Sequence, residues 1–217
     1  MVATSVPVQI GPPGRRRWRY RPAMADADAH HDAALGVFCG SLPGTDDAVH
    51  GLARDLGAAL AEAGVDLVYG GAGIGVMGTL ADAVLDSGGR VIGVIPTALF
   101  SREVPHDRLT ERIEVADMHE RKRLMYELSD AFCALPGGYG TLEEVFEAAT
   151  WTQLGLHGRP MPVGLLDGGQ PGSGFWSGLE TFLDRAMADG FVKPENRSIV
   201  RRVGSVAEAV ALAAPTG

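Results

Sequence analysis

Two stretches concentrate residue types that can do chemistry. "ADMHERK", residues 116–122, places Arg121 and Lys122 at the expected start of a helix, with Asp117 and Glu120 spaced as a capping pair. Cations in a first helical turn oppose the macrodipole, typically at a cost of about 0.3–1 kcal/mol each. Arg121 shares a helical face with Met125 and Leu128, so it should aim inward above a sheet. An inward cation there calls for an anion, either a ligand or an internal carboxylate in a structural pair. Lys122 is expected at the site edge or in solvent, and His119 at the surface.

The second stretch, "LPGGYGTLEE" at 135–144, sets three glycines before a run of carboxylates. Gly137, Gly138 and Gly140 permit positive φ and let a ligand touch the main chain. Thr141 can cap the following helix, leaving neighbouring N–H groups for phosphate oxygens. Glu144 has two readings of similar weight. It can be a catalytic carboxylate, or it can close a Thr-x-x-Glu capping box on Thr141. Glu143 and Glu147, one turn apart, read as a solvated acidic face.

The elements that must position these residues alternate along the chain. Apolar runs at 34–40, 65–71, 90–96, 131–138 and 159–167 read as strands, with shorter ones at 112–117 and 197–202. Between them, 46–64, 74–89, 118–130, 141–158, 174–190 and 206–214 read as helices, and 97–112 as an irregular connection with a short helix. Strands apolar on both faces and separated by helices predict an α/β fold. Its sheet is parallel, with helices on both faces, in a single domain. Ligands of such sheets bind beyond the carboxyl ends of the strands. Three glycine-rich loops fall there: 39–45, 69–78 and 136–141.

Gly73, Gly75 and Gly78 satisfy GxGxxG, a pattern that favours a nucleotide phosphate at a helix start. A dinucleotide fold would carry an acid after the next strand, and Pro96 stands there instead. A tight turn with close helix–strand packing explains these glycines equally well.

The 217 residues suffice for one domain with a full core, and 46% hydrophobic with 21% charged residues is ordinary globular composition. The net charge of −8 argues against nucleic acid or an anionic membrane as partner. No apolar run approaches a membrane span. Cys39 and Cys133 sit in apolar runs and read as buried free thiols in neighbouring strands, with no metal-ligand spacing. Residues 1–33, rich in Pro, Gly and Arg, read as a disordered extension, with 34–217 as the folded domain.

"MHERK" at 118–122 followed by "PGGYGTLEE" at 136–144 resembles the paired signature of the Lonely Guy (LOG) family of cytokinin riboside 5′-monophosphate phosphoribohydrolases. "VFCGS" at 37–41, "YGGAGIGVMG" at 69–78 and "TWTQLGLHGRP" at 150–160 extend the resemblance from about residue 35 to about 210. Leu42 departs from it, standing where many members have a second Ser. The resemblance implies a Rossmann-like fold, a homodimer and a cytoplasmic protein. It implies hydrolysis of the N-glycosidic bond of N6-modified adenosine 5′-monophosphates without a cofactor or metal. Arg121 and Glu144 take the family's catalytic positions. Gly137, Gly138, Tyr139, Gly140 and Thr141 fall on its phosphate stretch, and Met118, Lys122, Ser41, Gly71 and Gly73 join the substrate site. A non-catalytic nucleotide-binding module of the same fold and a hydrolase of plain AMP are the alternatives. Members are often labelled lysine decarboxylases. A Schiff-base enzyme needs a suitable lysine, and this chain has only Lys122 and Lys193.

Overall fold

One switch in strand order decides where this chain can bind a ligand. The computed structural model describes residues 33–97, 104–156 and 158–214. Seven strands form one sheet: β1 (Ala34–Phe38), β2 (Asp66–Tyr69), β3 (Val91–Pro96), β4 (Glu111–Val115), β5 (Ala131–Ala134), β6 (Val163–Leu165) and β7 (Val200–Arg202). All neighbours are parallel, in the order β4-β3-β2-β1-β5-β6-β7. The chain winds outward from β1 to β4, then returns to place β5 on the other side of β1. Beyond β1 and β5 the connections diverge, which opens a crevice at their carboxyl ends.

Seven helices cover the sheet: α1 (Asp47–Ala63), α2 (Gly75–Asp86), α3 (Met118–Leu128), α4 (Tyr139–Gln153), α5 (Ser177–Ala188), α6 (Pro194–Arg197) and α7 (Val206–Ala211). Period-two alternation along β1 splits its side chains between two cores. Leu35 and Val37 face a core that includes Leu56 and Leu60 of α1, Leu80 of α2 and Ala209 of α7. Ala34 and Phe38 face a second core with Leu124 and Met125 of α3 and Val145 and Ala148 of α4. The sheet is therefore buried on both faces, as its unbroken apolar strands required. In α1 the buried residues Ala53, Leu56, Gly57 and Leu60 form one stripe, and Gly64, at φ +66°, ends the helix in the left-handed cap that glycine favours.

The fold class and the strands agree with the sequence reading. Three details differ. α4 begins at Tyr139, two residues before the expected start, and ends at Gln153 instead of running to 158. A short helix, α6, opens on Pro194 in the first-turn position that proline suits. Of the connection expected over 97–112 with a short helix, 98–103 lie outside the described residues, 104–110 hold no helix, and β4 begins at Glu111. The extension expected over 1–33 also lies outside them, except Ala33, whose carbonyl accepts a hydrogen bond from Asp66. Among the described residues no helix is long and apolar enough to cross a membrane.

Candidate active site

α3 starts as its sequence dictates. Asp117 is the N-cap, and its carboxylate accepts from the amides of His119 and Glu120 at 2.8 and 2.9 Å. Those amide bonds favour the charged form and pull the Asp117 carboxyl below its usual range. Glu120 reaches back to the Ala116 amide at 2.9 Å. This entry fixes the rotation of α3, so Arg121 turns inward and is buried. Its guanidinium lies over Gly70, at the end of β2, where a β-carbon would collide with Nη2. Nη1 contacts the Met118 sulfur at 3.8 Å. Nε is buried without a hydrogen-bond partner among the described residues.

Glu144 comes to the same place from the opposite side of the switch. Its Oε1 stands 3.6 Å from Arg121 Nη2, with the two side chains only 7% and 5% exposed. The capping role weighed for Glu144 does not hold. The helix N-cap is Gly138, without a side-chain cap, and Thr141 lies buried inside the first turn. A carboxylate in the second turn of a helix, buried against an arginine, is no longer explained by capping. The Cys39 thiol, at the end of β1, is pushed up in pKa by burial and by the Glu144 charge, with Arg121 pulling the other way.

The glycines before α4 divide by function. None of Gly137, Gly138 and Gly140 has positive φ, contrary to expectation. Gly137 is required by space, because a β-carbon would overlap Thr141 Oγ1 and press on the Gly40 amide. Gly138 and Gly140 have open space in the side-chain direction and are exposed. Tyr139 between them is 93% exposed. The helix start therefore presents bare backbone beside the crevice, at the positive end of a 15-residue helix.

The other glycine-rich turn is closed. Gly73 N donates to Val104 O at 2.8 Å, and Met77 N, in the first turn of α2, donates to Gly40 O at 3.2 Å. Gly75 has φ +64°, and a β-carbon there would overlap the Ser41 carbonyl. Gly71 at φ +83° packs on Ile95, and its carbonyl accepts from the His106 amide at 2.9 Å. These glycines serve turn and packing. They set Gly71 and Gly73 beyond the end of β2 and tie the Met77 amide of α2 to Gly40.

Lys122, expected at the site edge or in solvent, is excluded from solvent. It is buried, and Nζ sits 2.6 Å from Glu143 Oε1 and 2.8 Å from Glu147 Oε2. Burial lowers its pKa, but the two carboxylate bonds outweigh that and leave it raised. Tyr126 OH donates to Glu147 at 2.9 Å. The acidic face is thus tied to α3, with Glu143 still exposed, as expected, and Glu147 half-buried. No local signal could reveal this, because the partners lie 21 residues apart on another helix. Gly70 and His106 were also not singled out. His119 is exposed, as expected.

Comparison with known proteins bears on what this geometry does. The profile of a family described as "Possible lysine decarboxylase" matches residues 77–213. A rice protein named "Probable cytokinin riboside 5′-monophosphate phosphoribohydrolase LOGL9" is 50% identical over 163 residues, covering 75% of this chain and 69% of that protein. Cytokinin riboside 5′-monophosphate phosphoribohydrolase LOG1 of Arabidopsis thaliana is 47% identical over 174 residues, 80% of this chain and 79% of its own. The Rhodococcoides fascians enzyme of the same name is 48% identical over 168 residues, 77% and 82%. Among solved structures, the molybdenum cofactor carrier protein of Chlamydomonas reinhardtii superposes with a TM-score of 0.60 at 26% identity, over 83% of this chain and 94% of its own.

Proposed function

The chain belongs to the Lonely Guy family of cytokinin riboside 5′-monophosphate phosphoribohydrolases, and from that premise we propose how its crevice works. The substrate is an N6-modified adenosine 5′-monophosphate. Water cleaves its C1′–N9 bond, giving the free base and ribose 5-phosphate. The single observation that carries this reading is the buried Arg121–Glu144 pair beside the bare start of α4. A phosphate set on the amides around Gly138–Thr141 is held by the helix terminus, and the ribose then lies over Glu144.

Cleavage is dissociative. The bonding pair of C1′–N9 leaves with the base, which takes up a proton, and positive charge develops on the ribose ring. The Glu144 carboxylate stabilises that charge and accepts a proton from the water that adds to C1′. Arg121, 3.6 Å away, orients Glu144. Met118, Ser41, Gly71 and Gly73 border the same crevice. Only water is consumed, with no change of oxidation state, so the reaction calls for no redox cofactor.

The decarboxylase description of the matching profile does not fit the lysines. A Schiff base requires a neutral amine, whereas Lys122 is held charged between two carboxylates. Lys193 is exposed at the start of α6.

The protein works as a cytoplasmic homodimer, with α4 at the interface. Leu154 and Leu156, just past α4, are 62% and 61% exposed, and Phe146 is 39% exposed. These need cover that a second copy can supply. Trp151 is partly accounted for within its own chain, where it packs edge-on against Tyr126 with ring centroids 4.8 Å apart.

The test is to incubate the purified protein with isopentenyladenosine 5′-monophosphate, AMP and isopentenyladenosine, and to follow base release. Release from the first at the highest kcat/KM is expected. Equal rates for monophosphate and riboside would remove the phosphate cradle. Tight binding of the nucleotide with no base released would make the chain a binding module instead.

A further inference from the structure

We propose that Lys122 is a positioning residue that clamps α4 to α3 and neutralises the two carboxylates beside Glu144, so that Glu144 alone is left to Arg121. This rests on the hydrolase reading given above, but the clamp can be read without turnover.

The geometry is a pair of parallel rungs. Arg121 and Lys122 are consecutive on α3, and Glu144 and Glu143 are consecutive on α4. Arg121 meets Glu144 at 3.6 Å, and Lys122 meets Glu143 at 2.6 Å. Glu147, one turn further, closes on the same ammonium at 2.8 Å and is held from behind by Tyr126 OH at 2.9 Å. The Tyr126 phenol is pushed up in pKa, first by burial and then by its bond to Glu147, so it stays a donor. Behind it the ring stands edge-on to Phe132 of β5 and to Trp151. The clamp is therefore anchored in the core beneath the sheet's second face.

Two consequences separate this role from substrate binding. An ammonium has three donors, and carboxylates already engage it at both of the distances above. Its side chain is only 9% exposed, which leaves little path to a phosphate. The second consequence is electrostatic. Glu143, Glu144 and Glu147 project from the first turns of the helix whose start is to hold a phosphate. Uncompensated, they would repel that anion and one another. The charged groups facing Lys122 are Glu143 and Glu147 of α4, with Tyr126 of α3 bonded to Glu147, and Lys122 is the cation that balances these two carboxylates.

The test is a series of variants assayed for base release from isopentenyladenosine 5′-monophosphate. Lys122→Met should lower kcat at least tenfold with KM changed less than twofold, and Lys122→Arg should keep most of the wild-type kcat. Adding Glu143→Gln and Glu147→Gln to Lys122→Met should restore most of the loss, because the charges that needed balancing are gone. A rise in KM with kcat intact would make Lys122 a substrate ligand and overturn the proposal. So would failure of the triple variant, folded by circular dichroism, to recover any activity. Crystal structures of wild type and Lys122→Met read the clamp even if the wild type releases no base. The Arg121–Glu144 contact should be lost in the variant, and its persistence would equally overturn the proposal.

Discussion

The Arg121 guanidinium occupies the space that a β-carbon on Gly70 would need. A cation from α3 thereby reaches across the end of β2 to Glu144 of α4. Gly70→Ala should push the guanidinium off this seat. The expected result is a kcat reduced more than tenfold, measured well below the melting temperature, with the circular dichroism spectrum unchanged. Near-normal turnover would show that Arg121 has another productive position.

Glu144→Gln keeps the shape and removes the charge. Turnover should fall by about 10²–10⁴, the usual contribution of a positioned acid–base group. Stability should fall too, by up to about 3 kcal/mol, because Arg121 is left buried without its counter-charge. A variant that melts earlier but hydrolyses at the wild-type rate would assign the pair to structure alone.

Gly137 and Gly138 should answer differently to the same substitution. Gly137→Ala meets Thr141 Oγ1 and the Gly40 amide, so it should lower the melting temperature and disturb the crevice together. Gly138→Ala has room, and its φ of −97° suits any residue. It should melt with the wild type, yet lose at least several-fold in kcat/KM for the monophosphate as the methyl crowds the phosphate. Thermal scans and initial rates on the two variants separate these outcomes.

Burial pushes the Cys133 thiol to about 12, and Cys39 is raised for the same first reason. In the unfolded chain thiols ionise from about pH 8.5. With folded pKa values raised, their contribution to stability is complete below that pH. It is lost as pH rises toward the folded values. The urea midpoint should therefore stay level from pH 6 to 8 and fall between pH 9 and 11. Cys133→Ala should flatten that fall. Native protein should react with a thiol reagent at neither cysteine at pH 8, while both react in urea.

Leu154→Glu with Leu156→Glu should convert a dimer of about twice 22.8 kDa into a monomer, read by light scattering. A wild type that is already monomeric at micromolar concentration would remove the interface placed on α4.

The sequence by itself determined what depends on near neighbours. Apolar strands alternating with amphipathic helices dictated a parallel sheet covered on both faces, because each element's period states which sides it must bury. Asp117 and Glu120 set the start of α3, and with it the inward turn of Arg121, since capping acts within one helical turn. Tertiary structure decided what depends on distant partners. Thr141 looked like a cap, but the space under Gly137 takes its hydroxyl and the helix starts at Tyr139 instead. Lys122, expected at the site edge or in solvent, is buried by the packing of α3 beside α4, which pairs it with Glu147 and with a Glu143 that stays exposed. The glycine-rich loops looked alike, yet Val104 and Gly40 take up the Gly73 and Met77 amides in one, while the start of α4 has no side-chain cap. Side chains and amides like these have several local options of nearly equal energy. Only the packing of segments far apart in the chain selects among them.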